Sequence, residues 1–314
     1  MANKHYLLKT IALTTGSIFT ANTVINYLAK QRKMCSSDCG YFYSWKYGEI
    51  YYTKHGKGSP VLLIHNLDAA SSSYEWLRTV KKLCKNHTVY TIDLLGCGQS
   101  DKPALTYTNY LYVQLITDFI KEIIRKKTSV ITSGDSNTFV VMANHIQPAL
   151  FDKIIMINPA DMSKLKMRTT KYHILRKRIL FTPLIGTALY NFYFRQEHIE
   201  NVFRKDYIFN RTKDCTRYID IYYQSAHSKH SNGRFLFASK LCGYTNTNLS
   251  IGLKGKKNLY IIESTSRKNA VVTTDAYVRV NRDIEVNYIS NAKLLPQLEV
   301  LEQLLKIINN DIEK

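Results

Sequence analysis

Ser136 sits in the segment Gly134-Asp135-Ser136-Asn137-Thr138, between a strand-like run from Ser129 to Thr132 and a helical pattern that opens at Thr138. A serine on a sharp strand-to-helix turn projects its hydroxyl above a sheet and meets the positive end of a helix dipole, the placement that nucleophilic acyl transfer needs. The same turn directs the backbone N–H of Asn137 toward a developing oxyanion. A second donor would be the N–H of Leu67, just past the apolar run Val61-Leu62-Leu63-Ile64. Two such donors are worth about 3–4 kcal/mol in a transition state. Serine is a poor nucleophile without a base, and no histidine follows His230.

The elements that must hold these residues follow from periodicity. Tyr41 to Tyr47 and Glu49 to Lys54 read as two strands around a turn at Gly48, and Val61 to Ile64 as a strand buried on both faces. A helix from Ser73 to Leu83, a strand from His87 to Asp93, a helix from Tyr110 to Ile124 and a strand from Lys153 to Asn158 continue the alternation. Strands and helices in that order imply a parallel sheet with right-handed crossovers. From Asp161 to about Leu253 the chain is Tyr-rich, basic and helical in pattern. The α/β rhythm then resumes with strands at Asn258–Ile262 and Glu285–Ile289 and an amphipathic helix from Pro296 to Asn309. An inserted helical cap explains this order, with a core at 40–162 and 254–314, a cap at 163–253 and an N-terminal segment at 1–34.

Three segments together resemble the α/β-hydrolase family, especially its branch of haloalkane dehalogenases and epoxide hydrolases. They are Ile64-His65-Asn66-Leu67, Asp93-Leu94-Leu95-Gly96-Cys97-Gly98-Gln99-Ser100-Asp101-Lys102-Pro103, and Gly134 to Thr138. The resemblance spans residues 40 to 310 and implies an ester- or lipid-type serine hydrolase with Ser136 as nucleophile. It also implies a histidine before the last helix, where this chain reads Lys293-Leu294-Leu295-Pro296, so that Leu294 holds the place of the base. Loss of that histidine removes most of a rate factor of about 10⁶. The acid position reads Glu263-Ser264-Thr265-Ser266 without an aspartate. Asp161 is the alternative acid, against the simpler reading of a helix cap. Asn66 and Thr138 replace small residues of the family pattern. His173, His198, His227 and His230 lie in the cap and are the candidates for a substitute base, while His65 suits a structural bond. Asp135 as nucleophile needs a one-residue shift that would turn it from the pocket.

The net charge of +20 favours acidic partners, and no nucleic-acid-binding motif is present, so an anionic lipid surface is the expected one. Thr10 to Leu28 is uncharged, and its nineteen residues span about 28 Å as a helix, near the thickness of a hydrocarbon core. Five threonines and two asparagines dilute it, although threonine can bond back to its own helix. The expectation is a single-pass N-terminal membrane anchor. Tyr190, Phe192, Tyr193, Phe194, Tyr222 and Tyr223 suit an apolar pocket or plain packing. Cys35, Cys39, Cys84, Cys97, Cys215 and Cys242 show no zinc spacing, and no metal or cofactor is expected. Two functions remain: an ester or lipid hydrolase with a recruited base, or a pseudoenzyme that binds a small apolar ligand, an ester or a partner at a membrane.

Overall fold

The computed structural model describes residues 2–31, 40–166, 169–210, 212 and 214–313. One eight-stranded sheet organises the chain, in the order β1-β2-β4-β3-β5-β6-β7-β8. Its strands are β1 (Gly40–Trp45), β2 (Gly48–His55), β3 (Ser59–Ile64), β4 (His87–Ile92), β5 (Thr128–Ser133), β6 (Phe151–Ile157), β7 (Leu259–Ser264) and β8 (Glu285–Ile289). β1 and β2 are antiparallel, and β4 to β8 run parallel with β3 among them. The central strands are apolar throughout because helices cover both faces: Val61, Leu62, Leu63 and Ile64 are all fully buried.

The helices are α1 (Ala2–Gln31), α2 (Leu77–Leu83), α3 (Asn109–Phe119) and α4 (Asn137–Ile146). The cap follows with α5 (Met162–Leu165), α6 (Lys171–Phe181), α7 (Pro183–Tyr193), α8 (Gln196–Val202), α9 (Thr216–Ser231), α10 (Arg234–Leu241) and α11 (Ser250–Leu253). The core closes with α12 (Ala270–Val280), α13 (Pro296–Glu299) and α14 (Leu301–Glu313). Thus every helix between β6 and β7 belongs to the insert. One face of the sheet packs on α3 and α4 through Leu115, Phe119, Phe139 and Val140. The other packs on α2 and α14, where Leu301, Leu304, Leu305 and Ile308 form the buried stripe expected of an amphipathic helix. α12 was not foreseen: its sequence, AVVTTDAYVRV, is rich in β-branched residues, and packing outweighs that bias.

The N-terminal segment is helical, but the expectation of a membrane-spanning anchor is not supported. No helix among the described residues is long and apolar enough to cross a membrane. The polar residues explain why. Thr10, Thr14, Thr20 and Thr23 do bond back to carbonyls four residues earlier, each at 2.9 Å. Asn22 and Asn26 instead face the cap. Asn191 Nδ2 donates to Asn22 Oδ1 at 2.8 Å, and Ser231 Oγ donates to Asn26 Oδ1 at 2.6 Å. The C-terminal half of α1 therefore lies on α7 and α9 through buried amides. Cys35 and Cys39 lie outside the described residues.

Candidate active site

The motif Asp93 to Pro103 builds a rigid floor beside the sheet. The Asp93 carboxylate accepts the N–H groups of Ser73 and Gln99, both at 2.7 Å. Ser100 Oγ donates to Asp93 O at 2.6 Å and accepts Tyr51 N–H at 2.8 Å. Gly98 has φ +47°, and a Cβ there would lie 2.1 Å from Asp93 Oδ2. Only glycine fits, because the backbone must both turn left-handed and touch the carboxylate. Lys102, buried, donates from Nζ to Ser225 O of α9 at 2.5 Å, so the same loop fastens the cap.

The turn between β5 and α4 departs from the expected elbow. Ser136 has φ −64° and ψ −23°, an ordinary right-handed conformation. The left-handed residue is Gly134, at φ +59°. Ser136 is fully buried, and its hydroxyl donates to His65 O at 2.6 Å. It neither faces the cleft nor caps α4. The N–H of Asn137, expected to serve an oxyanion, turns back to the carbonyls of Gly134 and Asp135. The Asn137 amide is likewise committed, donating to Gly134 O at 2.8 Å and Ile157 O at 3.1 Å. Asn66, which stands in place of a small residue, sits directly against the turn. Its Oδ1 accepts Asp135 N–H at 2.9 Å and would lie 2.3 Å from a Cβ on Gly134.

Asp135 is a correction in the other direction. It was expected to point from the pocket, yet it lines the cleft and Ser136 does not. The 3-10 turn over Gly134–Ser136 places successive side chains about a third of a revolution apart, so burying Ser136 turns Asp135 out. Lys240 of α10 meets it there. Its ammonium lies 2.9 Å from Asp135 Oδ2 and 3.9 Å from Asp68 Oδ2, and it also donates to Leu67 O. Burial draws the Lys240 pKa down, and the two carboxylates outweigh it, so the ammonium is held above its ordinary range. Leu67 therefore meets the cleft with a carbonyl already engaged. Lys240 was not singled out from sequence, since a lysine on a cap helix carries no local signal of a partner more than a hundred residues away.

The strand ends where the sequence placed the acid and base positions are tied together by an amide. Asn158 follows β6 in the left-handed region (φ +50°). Its Nδ2 donates to Ser264 Oγ at 3.1 Å, Lys293 O at 2.8 Å and Leu294 O at 3.1 Å, and its Oδ1 accepts Ser264 N–H at 2.8 Å. The ends of β6 and β7 and the Leu294 loop are joined by this one side chain. Leu294 itself packs against the cap cluster that contains Tyr190, Phe194 and Tyr222. Glu263, fully buried at the end of β7, pairs with Arg267 at 3.0 Å. Asp161 caps α5: its Oδ1 accepts Ser163 N–H at 2.9 Å, and the Ser163 hydroxyl bond holds its carboxyl below the usual range.

None of the cap histidines reaches Ser136. His173 completes a capping box with Thr170, His198 lies against Tyr193 in a tilted ring contact with centroids 4.5 Å apart, and His227 Nδ1 bonds Tyr223 O at 2.8 Å. His230 is exposed in the kink that ends α9. His65 accepts Leu94 N–H at Nε2 (3.1 Å), which places its proton on Nδ1 for Asn66 O at 2.7 Å. Burial pushes its pKa down and keeps that imidazole neutral. Among the described residues no hydrogen bond joins an imidazole to the serine. The cap aromatics divide: Tyr190, Phe194 and Tyr222 are buried in packing, whereas Phe192 and Tyr193 are exposed. The cleft, of about 450 Å³, is lined instead by polar residues including Asp135, Asp161, Lys164, Lys240, Arg267 and Lys268.

Superposition on solved structures decides the architecture. A probable hydrolytic enzyme from Pseudomonas aeruginosa PAO1 matches 87% of this chain and 93% of its own, with TM-score 0.69 and 13% identity. An enol-lactonase from Burkholderia xenovorans LB400 matches at TM-score 0.68 and 13% identity, over 87% of this chain and 100% of its own. The chain has the α/β-hydrolase fold. No family model matches its sequence. Among curated proteins, a 2-hydroxy-6-oxo-6-(2'-aminophenyl)hexa-2,4-dienoic acid hydrolase of Metapseudomonas resinovorans is 38% identical over 74 residues, 23% of this chain and 26% of that protein. A haloalkane dehalogenase of Agrobacterium fabrum is 35% identical over 60 residues, 19% of each chain. The matched stretch thus spans about a quarter or less of the length of these two relatives.

Proposed function

We propose that this α/β-hydrolase-fold chain has no hydrolytic chemistry and uses its cleft to bind a small carboxylate-bearing molecule. The observation that carries the first half is the Ser136 hydroxyl, buried and donated to His65 O at 2.6 Å, in a chain with no histidine after His230. An acyl transfer needs that proton removed and that oxygen facing the substrate. A carboxylate nucleophile at Asp135 fares no better. Its ester would need a base-activated water, and the carboxylate is already paired with Lys240. Support for the second half comes from the lining, where Lys240 and Arg267 are matched by Asp135 and Glu263, and Lys164 and Lys268 add charge that Asp161 only partly offsets. Cations in a concave, partly desolvated site favour an anionic ligand. One relative, the Metapseudomonas resinovorans hydrolase, has an acid in its printed name, which supports the same ligand class.

The test is to treat the full chain with a fluorophosphonate probe and map adducts, then titrate a panel of small mono- and dicarboxylates by calorimetry. The expected result is no adduct at Ser136 and saturable heat with a carboxylate, lost in the double variant Lys164→Met, Lys268→Met. A covalent adduct at Ser136 would sink the non-catalytic half. Absence of any saturable carboxylate binding would sink the other.

A further inference from the structure

The surface formed by α1, α6 and α7 combines exposed apolar side chains with cations and excludes carboxylates. On α7, Ile185, Leu189 and Phe192 recur at i, i+4 and i+7 and are all exposed, so they form one unburied stripe. Leu175 and Ile179 repeat the pattern on α6, which packs against α7. Helix α1 lies on α7 by its C-terminal half alone. Asn22 and Ala29 are buried, whereas Leu13 is 72% and Phe19 61% exposed. Lys171, Arg176 and Arg178 are exposed on α6. No Asp or Glu occurs in residues 2–31 or 162–196.

Apolar patches of this extent rarely face water without a partner. A second copy of the chain is disfavoured as that partner, because isologous pairing would bring two carboxylate-free, cationic faces together. A membrane crossing is disfavoured because α1 is too polar and its asparagines are spent on the cap. An interfacial mode satisfies both constraints: apolar side chains enter the headgroup boundary, and the lysine and arginine stems remain at phosphate level. We propose that the α1–α6–α7 face docks in the plane of an anionic phospholipid bilayer, with the outer half of α1 and the α7 stripe as its apolar contact. This inference is independent of what the cleft binds.

The test uses the full chain in flotation with vesicles of phosphatidylcholine alone and of phosphatidylcholine with phosphatidylglycerol. The expected result is co-flotation with the anionic vesicles, reduced by high salt. The triple variant Lys171→Glu, Arg176→Glu, Arg178→Glu should weaken partitioning by at least about tenfold. Ile185→Ser with Phe192→Ser should weaken it by about tenfold at low and high salt alike, since that loss is apolar. All five positions are exposed, and unchanged thermal melts verify that the variants fold. No co-flotation of the wild-type chain, or co-flotation untouched by both variants, overturns the proposal. Self-association abolished by these variants, with no vesicle binding, assigns the face to a second copy and overturns it as well.

Discussion

The Asp93–Lys102 loop and the Gly134–Thr138 turn follow the C-terminal ends of the central strands β4 and β5, and the two spend their polar groups differently. In the first, each polar group meets a partner that fixes the fold: Asp93 holds two N–H groups, Ser100 bridges to β2, and Lys102 holds α9. In the second, groups that would serve catalysis are turned inward and spent on backbone carbonyls. Residues that close backbone hydrogen bonds support folding whatever the protein does. A side chain that faced a reacting atom would have to stay clear of such bonds, and the Ser136 hydroxyl and the Asn137 amide do not.

Breaking the first region should have the largest effect. Asp93→Ala leaves two N–H groups without their charged acceptor and is expected to cost about 3–5 kcal/mol in urea unfolding. If it costs no more than a surface substitution, the contrast between the two regions fails. Glu75 sharpens it next. This carboxyl is fully buried beneath the cap, accepts Tyr222 OH at 2.6 Å, and is raised to about 7 chiefly by burial. A carboxyl whose folded pKa lies above its unfolded value of 4.5 holds its proton better in the folded state. Its contribution is therefore full below pH 4.5, declines as pH rises toward 7, and is lost above that. The decline should be about 3 kcal/mol, and Glu75→Gln should flatten that part of the stability profile. A profile unchanged by the substitution would show that Glu75 does not titrate with folding.

In the second region the expected effects are smaller. Asn158→Ala should cost about 2–3 kcal/mol, since it frees one N–H and two carbonyls at the strand ends, and its unfolding midpoint reads this directly. Ser136→Ala should cost only about 1 kcal/mol, and basal turnover of a chromogenic ester should be identical in variant and wild type. Leu294→His should create no fluorophosphonate reactivity, because the serine faces His65 O and not the cleft. Reactivity gained by that single substitution would show that the turn still opens toward the base.

Much of the architecture was legible from periodicity. The continuous apolar runs at Val61–Ile64 and Ile154–Ile157 announce strands covered on both faces, and Glu285–Ile289 falls on β8. The candidate site was legible only as a set of positions. That Leu294 cannot accept a proton follows from its side chain alone. The directions in which Ser136 and Asp135 point do not, because one turn of 3-10 geometry exchanges them. The aromatic residues of the cap were equally ambiguous: Phe192 and Phe194 are two positions apart, one exposed and one buried, and only the placement of neighbouring helices distinguishes them.

Composition and local pattern by themselves determined the parallel sheet, the helical stretch between β6 and β7, the basic charge and the absence of any histidine after His230, since each depends on residue type and spacing within a short window. The tertiary structure alone decided that Asn22 and Asn26 hold α1 to the cap, that Lys240 crosses to Asp135, and that Asn158 ties the strand ends to the Leu294 loop. Those bonds join residues from about one hundred to more than two hundred positions apart. Their formation follows from the need to pair each polar group that burial removes from water, and which partner it finds depends on what the completed packing brings within reach.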